Sequence, residues 1–253
     1  LEDESGTIGL EYTFNNMYPT AAKHLEDETA ILITGPPVTL VEPFIVLGSI
    51  IIEDENDNGN VDYGEEIDIG INLNNLGQNA ATGVAATIST DDEYITLINE
   101  VSSYPDIVGG TSEINSDLYL LEIAENCPNN HEAAFEINVD SAESSWIMYF
   151  TLSLHAPVLQ YNSIVVDDGE NNLLDPGETT DIIVSFANVG GAPAFNVIAD
   201  ISSTDEMVTL NSTSFELGNM NEGNIVSATF NVTADENTEI GHMAAINWML
   251  TGD

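Results

Sequence analysis

Two short acidic stretches carry the residues best suited to chemistry in this chain. The first runs Glu53-Asp54-Glu55-Asn56-Asp57-Asn58-Gly59-Asn60-Val61-Asp62-Tyr63-Gly64-Glu65, and the second Asp167-Asp168-Gly169-Glu170-Asn171-Asn172-Leu173-Leu174-Asp175-Pro176-Gly177-Glu178. Both close on Asp-x-Gly-Glu. Carboxylate and amide oxygens alternating on a tight loop with glycine at the turn suit a hard cation such as calcium, which gathers about six to eight oxygens. The expected ligands are Asp54, Asn56, Asn58, Asp62 and Glu65 in the first loop, and Asp167, Asp168, Asn171, Asp175 and Glu178 in the second. The closing Glu comes too early for an EF-hand, and no helical pattern flanks either loop. The second loop is one residue shorter and poorer in Asp, so weaker binding is expected there. The competing reading is a polar inter-strand turn whose Asp and Asn side chains bond their own backbone.

Nothing else in the sequence assembles a reactive group. Cys127 would need a histidine and an orienting partner to act as a nucleophile, and Cys127-Pro128-Asn129-Asn130-His131 reads as a turn. His24, His131, His155 and His242 show no paired metal spacing and are expected in exposed turns. Trp146 and Trp248 sit in apolar strand contexts that suit a core better than a sugar platform. Asn211-Ser212-Thr213 and Asn231-Val232-Thr233 match the N-glycosylation pattern, in keeping with surface exposure. No enzyme is expected.

Charge is the compositional anomaly: 44 Asp and Glu stand against one Lys or Arg in 253 residues, a formal net charge of -43. Nucleic acid and anionic membranes are repelled by such a chain. Its self-repulsion must be offset by cations bound at specific sites or by salt over a halophile-like surface. Lys23 leaves a single bond open to trypsin-like proteases, which suits an extracellular life. One cysteine allows no internal disulfide. No stretch reaches the roughly 20 apolar residues of a membrane-spanning helix. Residue 1 is not Met, and no basic-then-apolar leader follows it; an export signal, if there was one, has been removed.

The elements that hold the loops are strands. Apolar residues alternate with polar ones over short runs, as in Ile67-Asp68-Ile69-Gly70-Ile71-Asn72-Leu73 and Ile182-Ile183-Val184-Ser185-Phe186, and Asn, Gly, Asp and Pro clusters separate the runs. An internal repeat organises them. Residues 60–97 align without a gap on 173–210, matching Asp62, Gly64, Glu65, Asn75, Gly77 and Ile88 to Asp175, Gly177, Glu178, Asn188, Gly190 and Ile201. Upstream, Pro43 to Asp54 matches Pro157 to Asp168. Two modules of immunoglobulin-domain size follow. The chain is thus expected to be all-β, with an N-terminal extension over 1–42, one immunoglobulin-like sandwich over 43–156 and another over 157–253.

The two copies are unequal. Asn130 to Phe135 resembles Gly241 to Ile246, but the strand Trp146 to Leu154 has no counterpart before Asp253. Conversely, Ala30-Ile31-Leu32-Ile33 and Val38-Thr39-Leu40-Val41 precede Pro43 as the last strand of a module precedes Pro157. Ala30, Ile31, Leu32, Ile33, Val38 and Leu40 are therefore the candidate donor strand. Residues 1–27, with a possible short helix near Ala21 to Leu25, fit neither module.

The Asp175-Pro176-Gly177-Glu178-Thr179 stretch, Asn188-Val189-Gly190, Ser202 to Leu210 and the Trp146 to Pro157 ending resemble the repeated immunoglobulin-like modules (CARDB or gingipain-associated type) that follow gingipain-like cysteine peptidases and occur in large surface proteins of anaerobic bacteria. Over residues 38–253 the resemblance implies an extracellular calcium-bearing sandwich with a stalk or adhesion role and no catalysis. The expected function is that of a surface filament subunit, joined to copies of itself head to tail by strand donation. The alternatives are a stalk fragment of a larger surface protein or peptidase, and a calcium-dependent adhesin for a glycan or host protein.

Overall fold

The computed structural model describes residues 40–54, 56 and 58–252. Ala30, Ile31, Leu32, Ile33 and Val38, with the helix expected near Ala21, lie outside the described residues. Among those described there is no helix; every regular element is a strand. The first module contains β1 (Ile45–Glu53), β2 (Val61–Asp62), β3 (Glu66–Asn75), β4 (Ala85–Ser89), β5 (Ile95–Asn99), β6 (Val101–Ser103), β7 (Ser112–Ile114), β8 (Tyr119–Ile123), β9 (His131–Asp140) and β10 (Ser145–His155). The second contains β11 (Leu159–Asp167), β12 (Thr179–Asn188), β13 (Ala194–Ser202), β14 (Val208–Leu210), β15 (Ser214–Met220), β16 (Ile225–Ala234) and β17 (Asn247–Thr251).

Each module is two sheets closed on one core. In the first, β1-β3-β8-β5, with β7 also on β3, faces β2-β10-β9-β4-β6. In the second, β11-β12-β16-β14 faces β15-β13-β17. The period-two pattern sets the register: Ile67, Ile69, Ile71 and Leu73 of β3 and Ile182, Val184 and Phe186 of β12 all point inward and are buried. Opposite them lie Phe135, Ile137 and Val139 of β9 and Phe150, Leu152 and Leu154 of β10 in the first module. Phe135 and Phe150 stack at 4.8 Å.

The repeat holds at atomic detail where each module receives the chain. Asn75 Oδ1 accepts the Phe44 and Gly77 amides while its Nδ2 donates to the Asn79 and Ile107 carbonyls. Asn188 does the same with Val158, Gly190, Ala192 and Met220. Both amides are buried, so their full hydrogen-bonding capacity is used. The glycine two residues on is required by approach: a Cβ at Gly77 would sit 2.1 Å from the Glu42 carbonyl, and one at Gly190 2.2 Å from that of Ala156. Leu40 and Val41 offer their carbonyls to Gln78 and Asn79, much as Ala156 offers its own to Gly191. The residues just before Pro43 thus bond the first module, as Ala156 just before Pro157 bonds the second.

The modules differ at one edge. β10 pairs with β9 over ten registered residues, from Ser145↔Asp140 to Leu154↔His131, and with β2 in parallel at Leu154↔Val61 and His155↔Asp62. β17 occupies the place of β9: Ile88 registers with Ile137, and its repeat mate Ile201 with Trp248. Among the described residues β17 pairs with β13 alone. The apolar side chains that β10 would cover stay partly open. Ile137 is fully buried, whereas Trp248 is 37% exposed and Tyr161, stacked on it at 4.8 Å, is 40% exposed.

Candidate metal centre

Both loops are built by the same turn. In Asp-x-Gly-Glu the glycine takes a left-handed conformation, φ 70° at Gly64 and 81° at Gly177, which a side chain would resist. The turn lets the Glu carboxylate reach back three residues: Glu65 Oε2 accepts the Asp62 amide at 3.2 Å, and Glu178 Oε2 accepts that of Asp175 at 2.9 Å. The Glu65 and Glu178 amides return bonds to the Asp62 and Asp175 carbonyls. Turn formation alone therefore accounts for this part of the motif.

The leading aspartates are likewise spent on the backbone. Asp54 accepts the amides of Asn58 and Gly59, and Asp168 those of Glu170, Asn171, Asn172 and Leu173. These bonds, that from Glu170 foremost, hold the Asp168 carboxyl below its ordinary range. Asp167 ends β11, registering with Asp181, and its carbonyl accepts the Thr180 hydroxyl.

The remaining predicted residues converge. Asn58 Nδ2 donates to Asp62 Oδ2 at 2.9 Å, and Asn171 Nδ2 to Asp175 Oδ2 at 3.0 Å. In the first loop Asn56 joins them, its Nδ2 3.3 Å from Asp62 Oδ2 and 2.5 Å from Glu65 Oε1. The second loop, one residue shorter, has no such second amide in its hydrogen bonds. The loop backbone fixes both amides: Asn56 Oδ1 accepts the Asn58 amide at 3.0 Å and Asn58 Oδ1 the Asn60 amide at 2.6 Å. Asn56, Asn58, Asp62 and Glu65 thus bring two amides and two carboxylates to one place. Counting only His, Cys, Asp and Glu, no group of three or more fit to hold a metal occurs among the described residues.

Burial separates the loops. Asp62 is 2% and Glu65 8% exposed, yet Asp62 Oδ1 is buried with no hydrogen-bond partner. Asp175 is exposed. Lys23 is the sole Lys or Arg in the sequence, so no ammonium or guanidinium exists among the described residues to neutralise Asp62. A buried carboxylate oxygen with neither donor nor cation costs on the order of several kcal/mol.

His131 and His155 depart from the exposed turns expected of them, lying half-buried on β9 and β10, while His242 is exposed as expected. His131 and His242 bond Asp92 and Asp205 through Nε2 at 2.7 and 2.8 Å, a pairing repeated in both modules that sequence reading missed although the positions align. His155 lies at the end of β10 with Nδ1 buried and unbonded against Gly191. Cys127 is buried, and burial raises its thiol pKa, with Asp62 and Asp92 adding to the effect. His131 is engaged with Asp92. The sequon asparagines Asn211 and Asn231 bond each other at 2.8 Å across β16's edge.

No known protein-family profile matches the chain, and no curated protein matches it in sequence. Among solved structures, it is similar to red sea bream transglutaminase at 12% identity and a TM-score of 0.33, over 85% of this chain and 29% of that one. A protein of unknown function from Porphyromonas gingivalis W83 is similar at 13% identity and 0.25, over 74% and 84% respectively. Escherichia coli alpha-2-macroglobulin is similar at 10% and 0.32, over 88% of this chain and 17% of that protein. The chain spans under a third of the transglutaminase, and none of these likenesses is close enough to bear on function.

Proposed function

We propose that this chain is an extracellular structural protein whose copies join head to tail by strand donation, with calcium stiffening the modules. The observation that carries the reading is the edge of β17, which among the described residues pairs with β13 alone where the first module has β10. An edge strand beside partly open aromatic rings invites either aggregation or a strand from elsewhere. Leu40 and Val41 bond the first module before Pro43 as Ala156 bonds the second before Pro157, and this supports the segment before them as the donor. Inserted in a neighbouring copy, it would pair with β17, and since each copy both gives and receives, the assembly does not close. The kinship with modules accompanying gingipain-like peptidases belongs to this reading, as does the absence of a catalytic step in it.

The test is light scattering and electron microscopy of the protein, with and without an added peptide of residues 28–42. Oligomers that the peptide dissolves support strand donation. A purely monomeric protein with a folded second module, indifferent to the peptide, would sink it.

A further inference from the structure

We propose that a divalent cation at the first loop clamps the two modules to each other. The inference rests on the calcium reading above and adds a place and a mechanical task to it. The loop does not face open solvent: Asp62, Glu65, Asn56 and Glu125 line one wall of a cleft of about 640 Å³ whose other wall is Pro193, Phe195 and Gly252 of the second module. The two walls are already tied on either side. Tyr63 donates its hydroxyl to the Pro193 carbonyl at 3.2 Å, and Asn129 Oδ1 accepts both the Ala156 and Gly191 amides, at 3.2 and 3.0 Å.

Two buried polar atoms at this junction lack partners, Asp62 Oδ1 and His155 Nδ1, on residues registered opposite each other between β2 and β10. The Asp62 oxygen, on a side chain buried within the cleft wall, is what a cation would satisfy. The Asp62 and Glu65 carboxylates supply the oxygens for it, and such a donor set selects a hard ion. The equivalent Asp175 lies exposed, with no module packed on it. The site lies at the junction, so an ion that binds better in the docked arrangement must in turn favour that arrangement of the modules.

The experiment uses the full chain with a spin-label pair, one in each module away from the cleft. Calcium titration, followed by calorimetry and by the inter-module distance distribution, is expected to narrow that distribution as the first loop fills. Phe195→Ala, on the far wall and no ligand, should weaken calcium binding at the first loop about fivefold or more, while Asp175→Asn leaves both readouts of the junction unchanged. Calcium that binds at the first loop without narrowing the distribution, or with affinity indifferent to Phe195→Ala, overturns the clamp and leaves the calcium reading standing. No calcium binding to the wild-type chain overturns both.

Discussion

The two acidic loops share a turn, a backbone-capping aspartate and an Asn-to-Asp bond, yet one is buried and the other open. Loop sequence does not decide this. Asp62 is enclosed because β2 pairs with the end of β10 and the second module packs beyond it, whereas among the described residues Leu174 and Asp175 have no strand of that kind beside them. The same residues in the same turn thus become a candidate ion cage in one setting and a solvated bend in the other. In a repeat array the environment of a site belongs to the neighbour as much as to the module that encodes it.

The comparison can be broken most forcefully at the edge of β17, which among the described residues pairs with β13 alone. Fusing a second copy of the Trp146 to Leu154 sequence behind Asp253 should stabilise the second module by about 5 kcal/mol, from burying three large apolar side chains. Denaturant unfolding would record it; an unchanged midpoint would show that β17 needs no neighbour. Phe150→Ala, which empties the stack on Phe135, is expected to cost the first module about 3–5 kcal/mol. Tyr161→Ala on the open side of the second should cost only about 1 kcal/mol. Similar losses in calorimetry would deny the asymmetry of the cores.

For the loops, Asp62→Asn should act in opposite directions by about 2 kcal/mol, destabilising in calcium and stabilising in chelator, where the unpaired buried charge is a burden. Asp175→Asn should shift neither condition comparably in scanning calorimetry. The smallest effect concerns pH. Asp168 is held below the ordinary aspartate value of 3.8, first by the Glu170 amide. A depressed folded pKa adds stability that is present above that value and lost as pH falls through the lower, folded one. Amide exchange at Glu170 to Leu173 should therefore stay slow through mild acid and accelerate only beneath it.

Much of this was legible in the residues. Alternation placed the inward positions of β3 and β12, and the repeat placed Asn75 and Asn188, Gly77 and Gly190, before any contact was known. The hydrogen bonding within the loops was not legible, because only backbone geometry shows Asp54 and Asp168 accepting the amides that follow them. Nor does spacing reveal that Asp62 is buried, since the covering groups, Leu154, His155 and Pro193, are roughly 90 to 130 residues away. The His–Asp pairs were hidden for the same reason: Asp92 lies in the loop between β4 and β5 and His131 opens β9, 39 residues on.

β10 has a bearing on tension. It leaves the first core and runs through Ala156 directly into the amides and carbonyls held by Asn188 and Gly191. A pull on the second module therefore acts along the axis of β10, against its ten registered neighbours on β9. Loaded lengthwise, those backbone bonds resist together rather than opening one at a time from an end. The junction would be a place where pulling force is spread over a whole strand.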